Sequence, residues 1–123
     1  METIYQYSRK DAINDGYQVN IDSLSNGLSK EAGIKYPVYL TCSVEQVIDE
    51  SLRYGCNDIN GVLWDIFTMF KLEAKKSTSS SIQFKVFIYW KNKPKLFTFF
   101  AEIGATDFDD PSPAITIMTA QDL

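Results

Sequence analysis

The sequence predicts an α+β domain, and three observations support that prediction. Apolar side chains recur at helical spacing from Ile59 to Phe70, and from Ile82 to Trp90 the residues alternate between two faces, as in a strand. The polar segment from Thr78 to Ser81 separates the two patterns. Because 123 residues suffice for one hydrophobic core, we expect a single domain over residues 1–123. Its expected architecture is N-terminal helices with a short strand, one long central helix, and a C-terminal antiparallel β-meander packed on that helix.

The N-terminal part predicts two helices around a short strand. Ser8 resembles the first residue of a capping box and predicts a helix over residues 9–14. Residues 17–21 alternate apolar and polar side chains, which indicates a half-buried strand. Residues 24–32 predict a weak helix, because Gly27 lies inside it.

The central part predicts an extended segment followed by two helices. Pro37 argues against a central strand at residues 36–41, which we therefore interpret as an edge strand or an extended packing segment. A helix is expected over residues 44–52. Asp58 is expected to cap the main helix, over residues 59–75.

The C-terminal part predicts a three-stranded meander whose first strand has two distinct faces. Ile82, Phe84, Val86, Ile88 and Trp90 point to one face, and Gln83, Lys85, Phe87 and Tyr89 point to the other. The segments that follow are a turn at residues 91–94, a return strand over 96–103, an acidic loop at 104–113, a last strand over 114–118 and a frayed terminus at 119–123.

Composition excludes several classes of function. With 12 Lys and Arg against 16 Asp and Glu, the formal charge of −4 argues against long nucleic acid as a partner. The absence of histidine removes the commonest general base and metal ligand. No signal-peptide core or membrane-spanning run is present, so we expect a cytoplasmic protein that does not use a membrane. Cys42 and Cys56 match no zinc spacing and are expected to be reduced, partly buried thiols.

The sequence gives little support for an enzyme. Neither cysteine has a histidine partner, and neither a nucleophile elbow nor a Gly-rich phosphate loop is present. We therefore expect a non-enzymatic protein without a cofactor or metal, although a hydrolase that uses only carboxylates stays open. Asp107, Asp109 and Asp110 invite a calcium interpretation, but their spacing lacks the EF-hand pattern, and a solvated loop is favoured.

The predicted hairpin carries large rings on both faces. Phe87 and Tyr89 point away from the main helix, and the return strand adds Phe97, Phe99 and Phe100. A single helix layer covers one face only, so the other lies under the N-terminal elements, a second copy of the protein, or a ligand. We favour burial or self-association, and we expect a homo-oligomer.

Lysines among these rings also suggest a platform for a small nucleotide. Lys85 lies between Gln83 and the aromatic pair Phe87 and Tyr89. Aromatic rings stack on nucleobases while nearby cations bind phosphate, and a small nucleotide needs few cations. The alternative function is therefore sequestration of a nucleotide signal.

The dipeptide Trp64-Asp65 is the remaining candidate. Asp65 lies between the apolar residues Leu63 and Ile66, so its carboxylate must reach water or a polar partner. We favour a structural hydrogen bond to a neighbouring loop, such as the segment around Tyr36, over a ligand-facing or catalytic role.

Several blocks of residues carry a family resemblance. They are Ile4-Tyr5-x-Tyr7-Ser8 with Asp11-Ala12-Ile13-x-Asp15-Gly16, Glu31-Ala32-Gly33-x-x-Tyr36-Pro37-Val38-x-Leu40-Thr41, Gly61-x-Leu63-Trp64-Asp65, and Ile115-Thr116-Ile117-Met118. In this order and spacing the sequence resembles a family of small uncharacterised proteins encoded by phages, plasmids and bacterial chromosomes. The family often has Arg where this chain has Val62. The resemblance implies an intracellular, mobile-element context in a bacterial cell, and it assigns no activity or catalytic residue.

We therefore expect an accessory protein of a phage or other mobile element that acts by binding. The expected partner is a host protein, engaged through a sheet-based interface, and the alternative ligand is a small nucleotide. The candidate binding residues are Phe87, Tyr89, Lys85, Trp64, Asp65 and Tyr36.

Overall fold

A computed structural model describes residues 7–55 and 57–123 and has an α+β fold. The helices are α1 (Arg9–Asn14), α2 (Leu28–Glu31), α3 (Cys42–Arg53) and α4 (Ile59–Lys76), with short 3₁₀ helices at Ile21–Ser23 and Ala120–Asp122. The strands are β1 (Gln18–Asn20), β2 (Val38–Thr41), β3 (Ser81–Trp90), β4 (Lys93–Asp107) and β5 (Asp110–Met118). The predicted fold class is confirmed.

All five strands form one sheet in the order β1-β2-β5-β4-β3. The meander β3-β4-β5 is antiparallel, β2 runs parallel to β5, and β1 is antiparallel to β2. The helices α3 and α4 pack on one face of this sheet, which we call the inner face. At its two edges the sheet ends with β1 and β3.

The core lies between α4 and the inner face. Asp58 caps α4 by accepting a hydrogen bond of 2.7 Å from the Gly61 N–H, as the sequence predicts. The apolar stripe of α4 is buried against the sheet, and Phe70 contacts Phe84 edge-on with ring centroids 5.8 Å apart. Phe67 is fully buried in the same cluster. The long helix therefore fixes which face of β3 is covered.

Residues 36–41, expected as an edge strand or an extended packing segment, form an inner strand instead, so the prediction of an edge strand is wrong. β2 lies between β1 and β5, inside the sheet. Pro37 is compatible with this position because it precedes the strand and contributes only its carbonyl, which accepts a 2.9 Å hydrogen bond from the Ile115 N–H.

The weak helix predicted over residues 24–32 is much shorter in the structure. Gly27 has a left-handed φ of +80° and therefore lies before the helix rather than inside it. Only Leu28–Glu31 is α-helical.

The predictions for the C-terminal loop and terminus are also wrong. Residues 104–113 continue the ladder, and β4 and β5 form a hairpin in which Asp107 pairs with Asp110. The terminus ends in a 3₁₀ helix, and Asp122 joins it to the body of the protein through hydrogen bonds. The acidic, proline-containing composition of residues 104–113 suggested a loop. Composition does not reveal that β4 and β5 pair with each other, nor that the ladder contains a bulge near Ala105.

The two cysteines are only partly described. Cys42 is a half-buried free thiol, which agrees with the prediction. Cys56 lies outside the described residues, as do residues 1–6, which include the first residues of the family resemblance.

Candidate binding surface on the β3–β4 hairpin

The outer face of the β3–β4 hairpin carries a group of exposed apolar side chains. Phe87 is 63% exposed, Tyr89 47% and Leu96 46%. In the ladder Phe87 lies opposite Leu96, and Tyr89 lies opposite Pro94, so these four residues are neighbours. We call them the hairpin patch. The alternation predicted for β3 is confirmed, because Ile82, Phe84, Val86 and Ile88 are buried on the inner face.

The N-terminal part covers the opposite end of the outer face. The Arg9 guanidinium of α1 lies 4.1 Å from the centre of the Tyr39 ring. Its Nε donates a 2.6 Å hydrogen bond to the Thr106 carbonyl, and Nη1 donates to Gln18 Oε1 at 2.8 Å. Burial lowers the pKa of Arg9. Among the described residues this cover leaves the hairpin patch exposed.

Beside the hairpin patch, β3 has a backbone edge that no other strand of the described residues pairs with. Lys91 and Asn92 form a tight turn with φ angles of 51° and 68°, so Trp90 and Lys93 are the closing, hydrogen-bonded pair. From there, the hydrogen-bonded pairs of β3 fall on its even-numbered residues. The odd-numbered residues, including Tyr89 opposite Pro94, therefore direct N–H and C=O towards the free edge.

Side chains occupy the two ends of this edge. The Ser81 N–H donates to Ser79 Oγ at 3.1 Å, and the Tyr89 carbonyl accepts a 2.8 Å hydrogen bond from Asn57 Nδ2. Three residues lie between them with outward backbone groups that have no partner within residues 7–55 and 57–123: Gln83, Lys85 and Phe87. We call this stretch the open edge.

Two hollows follow the open edge on its inner side, between β3 and α4. The larger has a volume of about 260 Å³ and is lined by Asp65, Thr68, Met69, Val86 and Phe87. The smaller has a volume of about 140 Å³ and is lined by Asn57, Asp58, Gly61, Val62, Asp65, Ile88 and Tyr89. Asp65 borders both hollows. The larger hollow is otherwise lined mainly by apolar side chains, whereas the smaller one contains a second carboxylate, that of Asp58.

The carboxylate of Asp65 has no hydrogen-bond partner in the described part of the chain. Partial burial raises its pKa above the usual value for aspartate. The predicted hydrogen bond to a neighbouring loop such as the segment around Tyr36 is not present among the described residues, and Asp65 lines the two hollows beside β3 instead. Asp65 thus lies beside Phe87 and Tyr89, a proximity that sequence reasoning did not identify.

The other candidates divide into two groups. Lys85 is exposed on β3 and lies next to the hairpin patch, so it belongs to the same surface. Trp64 and Tyr36 are exposed, but neither lines one of the two hollows. Sequence reasoning missed Asn57, Asp58, Thr68 and Met69, because only the packing of α4 beside β3 brings them to the edge.

A second polar cluster, also missed, lies at the C-terminus. Asp122 accepts hydrogen bonds from Thr41 Oγ1 at 2.8 Å and Ser43 Oγ at 2.6 Å, and from the Thr119 N–H at 2.9 Å. Partial burial alone would raise the pKa of Asp122, but these hydrogen bonds outweigh it and hold the pKa below its usual value. The available signal was the spacing of Thr119 and Asp122, which forms a capping box.

No protein-family model, curated protein or solved structure matches the chain, so the resemblance stated above stays a prediction. Among residues 7–55 and 57–123, no group of three or more His, Cys, Asp or Glu side chains could hold a metal ion. None of the helices in the same ranges combines the length and apolar character that a membrane crossing needs.

Proposed function

We propose that the protein is a non-enzymatic binding protein whose hairpin patch docks a protein partner. The observation that carries this proposal is the exposure of Phe87, Tyr89 and Leu96 side by side on a face that the rest of the described chain leaves uncovered. Contiguous apolar patches on soluble proteins mark interaction sites, and aromatic side chains supply much of the energy of such contacts. Covering one large apolar side chain contributes about 1.5–3 kcal/mol.

The biological setting rests on the family resemblance. On that basis the protein is an accessory protein of a phage or other mobile element, located in the cytoplasm of a bacterial cell, and the partner is a host protein. The same patch supports self-association, because a second copy would cover the same rings.

Sequestration of a small nucleotide has weaker support. Phe87 and Tyr89 offer rings for stacking and Lys85 offers a cation, as the sequence suggests. However, the hollows beside those rings contain the carboxylates of Asp58 and Asp65, which would repel a phosphate group.

Site-specific photocrosslinking in bacterial cells tests the proposal. A photoreactive phenylalanine analogue at Phe87 is expected to give a discrete protein adduct. The matched control carries the analogue at Phe108, which is 66% exposed at the tip of the other hairpin and lies outside the patch. An adduct of twice the chain mass identifies a second copy, and any other discrete mass identifies a different protein. Equal or absent labelling from the two positions would refute the proposal.

A further inference from the structure

We infer that the partner adds an extended segment to the open edge as an additional antiparallel strand, with an acidic side chain opposite Lys85. The inference rests on the proposed function and names its binding mode. Because the added strand is antiparallel, the residue opposite Ile88 comes three positions before the acidic residue opposite Lys85. That residue carries a basic side chain, which faces Asp58 and Asp65. The occupant is thus an extended protein segment with the pattern basic, apolar, apolar, acidic.

The backbone supports strand addition. β3 is ten residues long and contains no proline, and such edges usually need protection against pairing with another chain. Here Ser79 and Asn57 occupy only the two ends. The outward N–H and C=O groups of Gln83, Lys85 and Phe87 form a short, bounded ladder for main-chain hydrogen bonds.

The side chains specify the segment. Residues opposite each other on paired strands share a face, so a residue opposite Lys85 extends over the outer face and one opposite Ile88 extends towards α4. At that point two carboxylates line the smaller hollow, which favours a cation. The larger hollow, lined by Met69 and Val86 among others, fits an apolar side chain opposite Val86. Phe87 favours an apolar neighbour on the outer face.

Charge argues against a second copy as the occupant. Two copies could pair their β3 strands antiparallel about a two-fold axis. The register that uses every outward N–H and C=O group of the open edge places Gln83 opposite Phe87 and Lys85 opposite Lys85 of the other copy. Like charges directly opposite each other are destabilising. A register with its two-fold axis at Val86 removes the contact between the two lysines. In that register, however, the Gln83 N–H of one copy points at the Tyr89 carbonyl of the other, which already accepts a hydrogen bond from Asn57.

Two synthetic peptides of equal composition test the charge pattern. The first, Thr-Lys-Val-Val-Glu-Val-Thr, places lysine opposite Ile88 and glutamate opposite Lys85, and the second exchanges the lysine and the glutamate. Each pair of partly exposed charges contributes little, so fluorescence anisotropy is expected to show about threefold to tenfold tighter binding of the first peptide. The variant Lys85→Glu should reduce or reverse this preference. Equal affinities, or no binding of either peptide, would overturn the inference.

The variant Gln83→Pro tests the backbone pairing. The Gln83 N–H points to the free edge, so replacing this residue with proline removes no hydrogen bond of the β3–β4 ladder. Circular dichroism should therefore show that the variant is folded. We expect the first peptide to lose at least about tenfold in affinity, since the substitution removes a donor and places a ring in the path of the added strand. Unchanged peptide binding would overturn the inference.

The two proposals fail in different ways. If crosslinking from Phe87 persists unchanged in Gln83→Pro, the hairpin patch binds a protein but the open edge does not. If crosslinking from Phe87 does not exceed that from Phe108 in the wild-type chain, the proposed function itself fails. A wild-type dimer in sedimentation analysis that Gln83→Pro dissociates would make a second copy the occupant and overturn the inference.

Discussion

Replacing Asp122 with alanine removes a carboxylate that joins the C-terminal 3₁₀ helix to the start of α3, and leaves the Thr119 Oγ1–Ser43 Oγ hydrogen bond of 2.9 Å between them. Its carboxylate accepts hydrogen bonds from Thr41 Oγ1, Ser43 Oγ and the Thr119 N–H at 2.6–2.9 Å. Thr41 and Ser43 are buried, so their hydroxyls cannot turn freely to water once the acceptor is gone. The variant is therefore expected to lose stability although Asp122 itself is largely exposed.

The size of the stability loss depends on how the Thr41 and Ser43 hydroxyls are hydrogen-bonded in the variant. A hydrogen bond to a charged group contributes about 1.5–3 kcal/mol, but solvent screening reduces that contribution at an exposed carboxylate. The Thr41 and Ser43 hydroxyls lie 3.0 Å apart and keep each other as partners, which limits the loss. We expect Asp122→Ala to lower the free energy of unfolding by about 1–2 kcal/mol.

Urea denaturation followed by tryptophan fluorescence measures this difference. Asp109→Ala is the matched control, because Asp109 is exposed at a hairpin tip and accepts no hydrogen bond within the described residues; it should change stability by less than about 0.5 kcal/mol. The folded-state pKa of Asp122 lies below the unfolded value, so its contribution is complete above about pH 4 and is lost as the pH falls through the folded pKa. Equal stability of Asp122→Ala and Asp109→Ala at pH 7 would refute the reasoning.

Three further predictions use other parts of the fold. Phe67→Ala should lower the free energy of unfolding by about 3–5 kcal/mol in urea denaturation, because Phe67 on α4 is fully buried between that helix and the sheet; a loss below about 1 kcal/mol would contradict this packing. Arg9→Ala should cost about 1–2 kcal/mol in the same assay, and Arg9→Lys should recover less than half, since lysine lacks the planar fork that reaches Thr106 and Gln18 while lying over Tyr39. A panel of nucleotides should leave the melting temperature unchanged, and a concentration-dependent rise with any of them would favour the sequestration alternative.

Sequence periodicity was sufficient to predict the elements that carry their own signal. The main helix and its Asp58 cap, the helix at Arg9–Asn14, and the inner and outer faces of β3 follow from local spacing alone. Each depends on residues within one or two turns of a helix or along one strand. The direction of Phe87 and Tyr89 away from the main helix was predicted for the same reason, but their exposure was not, since burial or self-association was favoured.

The remaining features depend on contacts between residues far apart in the chain. β2 is an inner strand because Val38 pairs with Ile115, and nothing within residues 36–41 indicates that neighbour. The acidic segment near Asp107 looks like a loop by composition, yet its backbone continues the β4–β5 ladder. Likewise, Asp65 became part of the binding surface only through the packing of α4 beside β3.

The parallel pairing of β2 with β5 has a consequence for biosynthesis. β3, β4 and β5 are joined by short turns, so each of their pairings closes a small loop soon after the strands leave the ribosome. β2 is synthesised long before its neighbour β5 and must wait until that strand has emerged. Val38 and Leu40 are fully buried in the finished sheet, but β2 cannot complete its pairing with β5 during this interval, which leaves a strand edge open to aggregation.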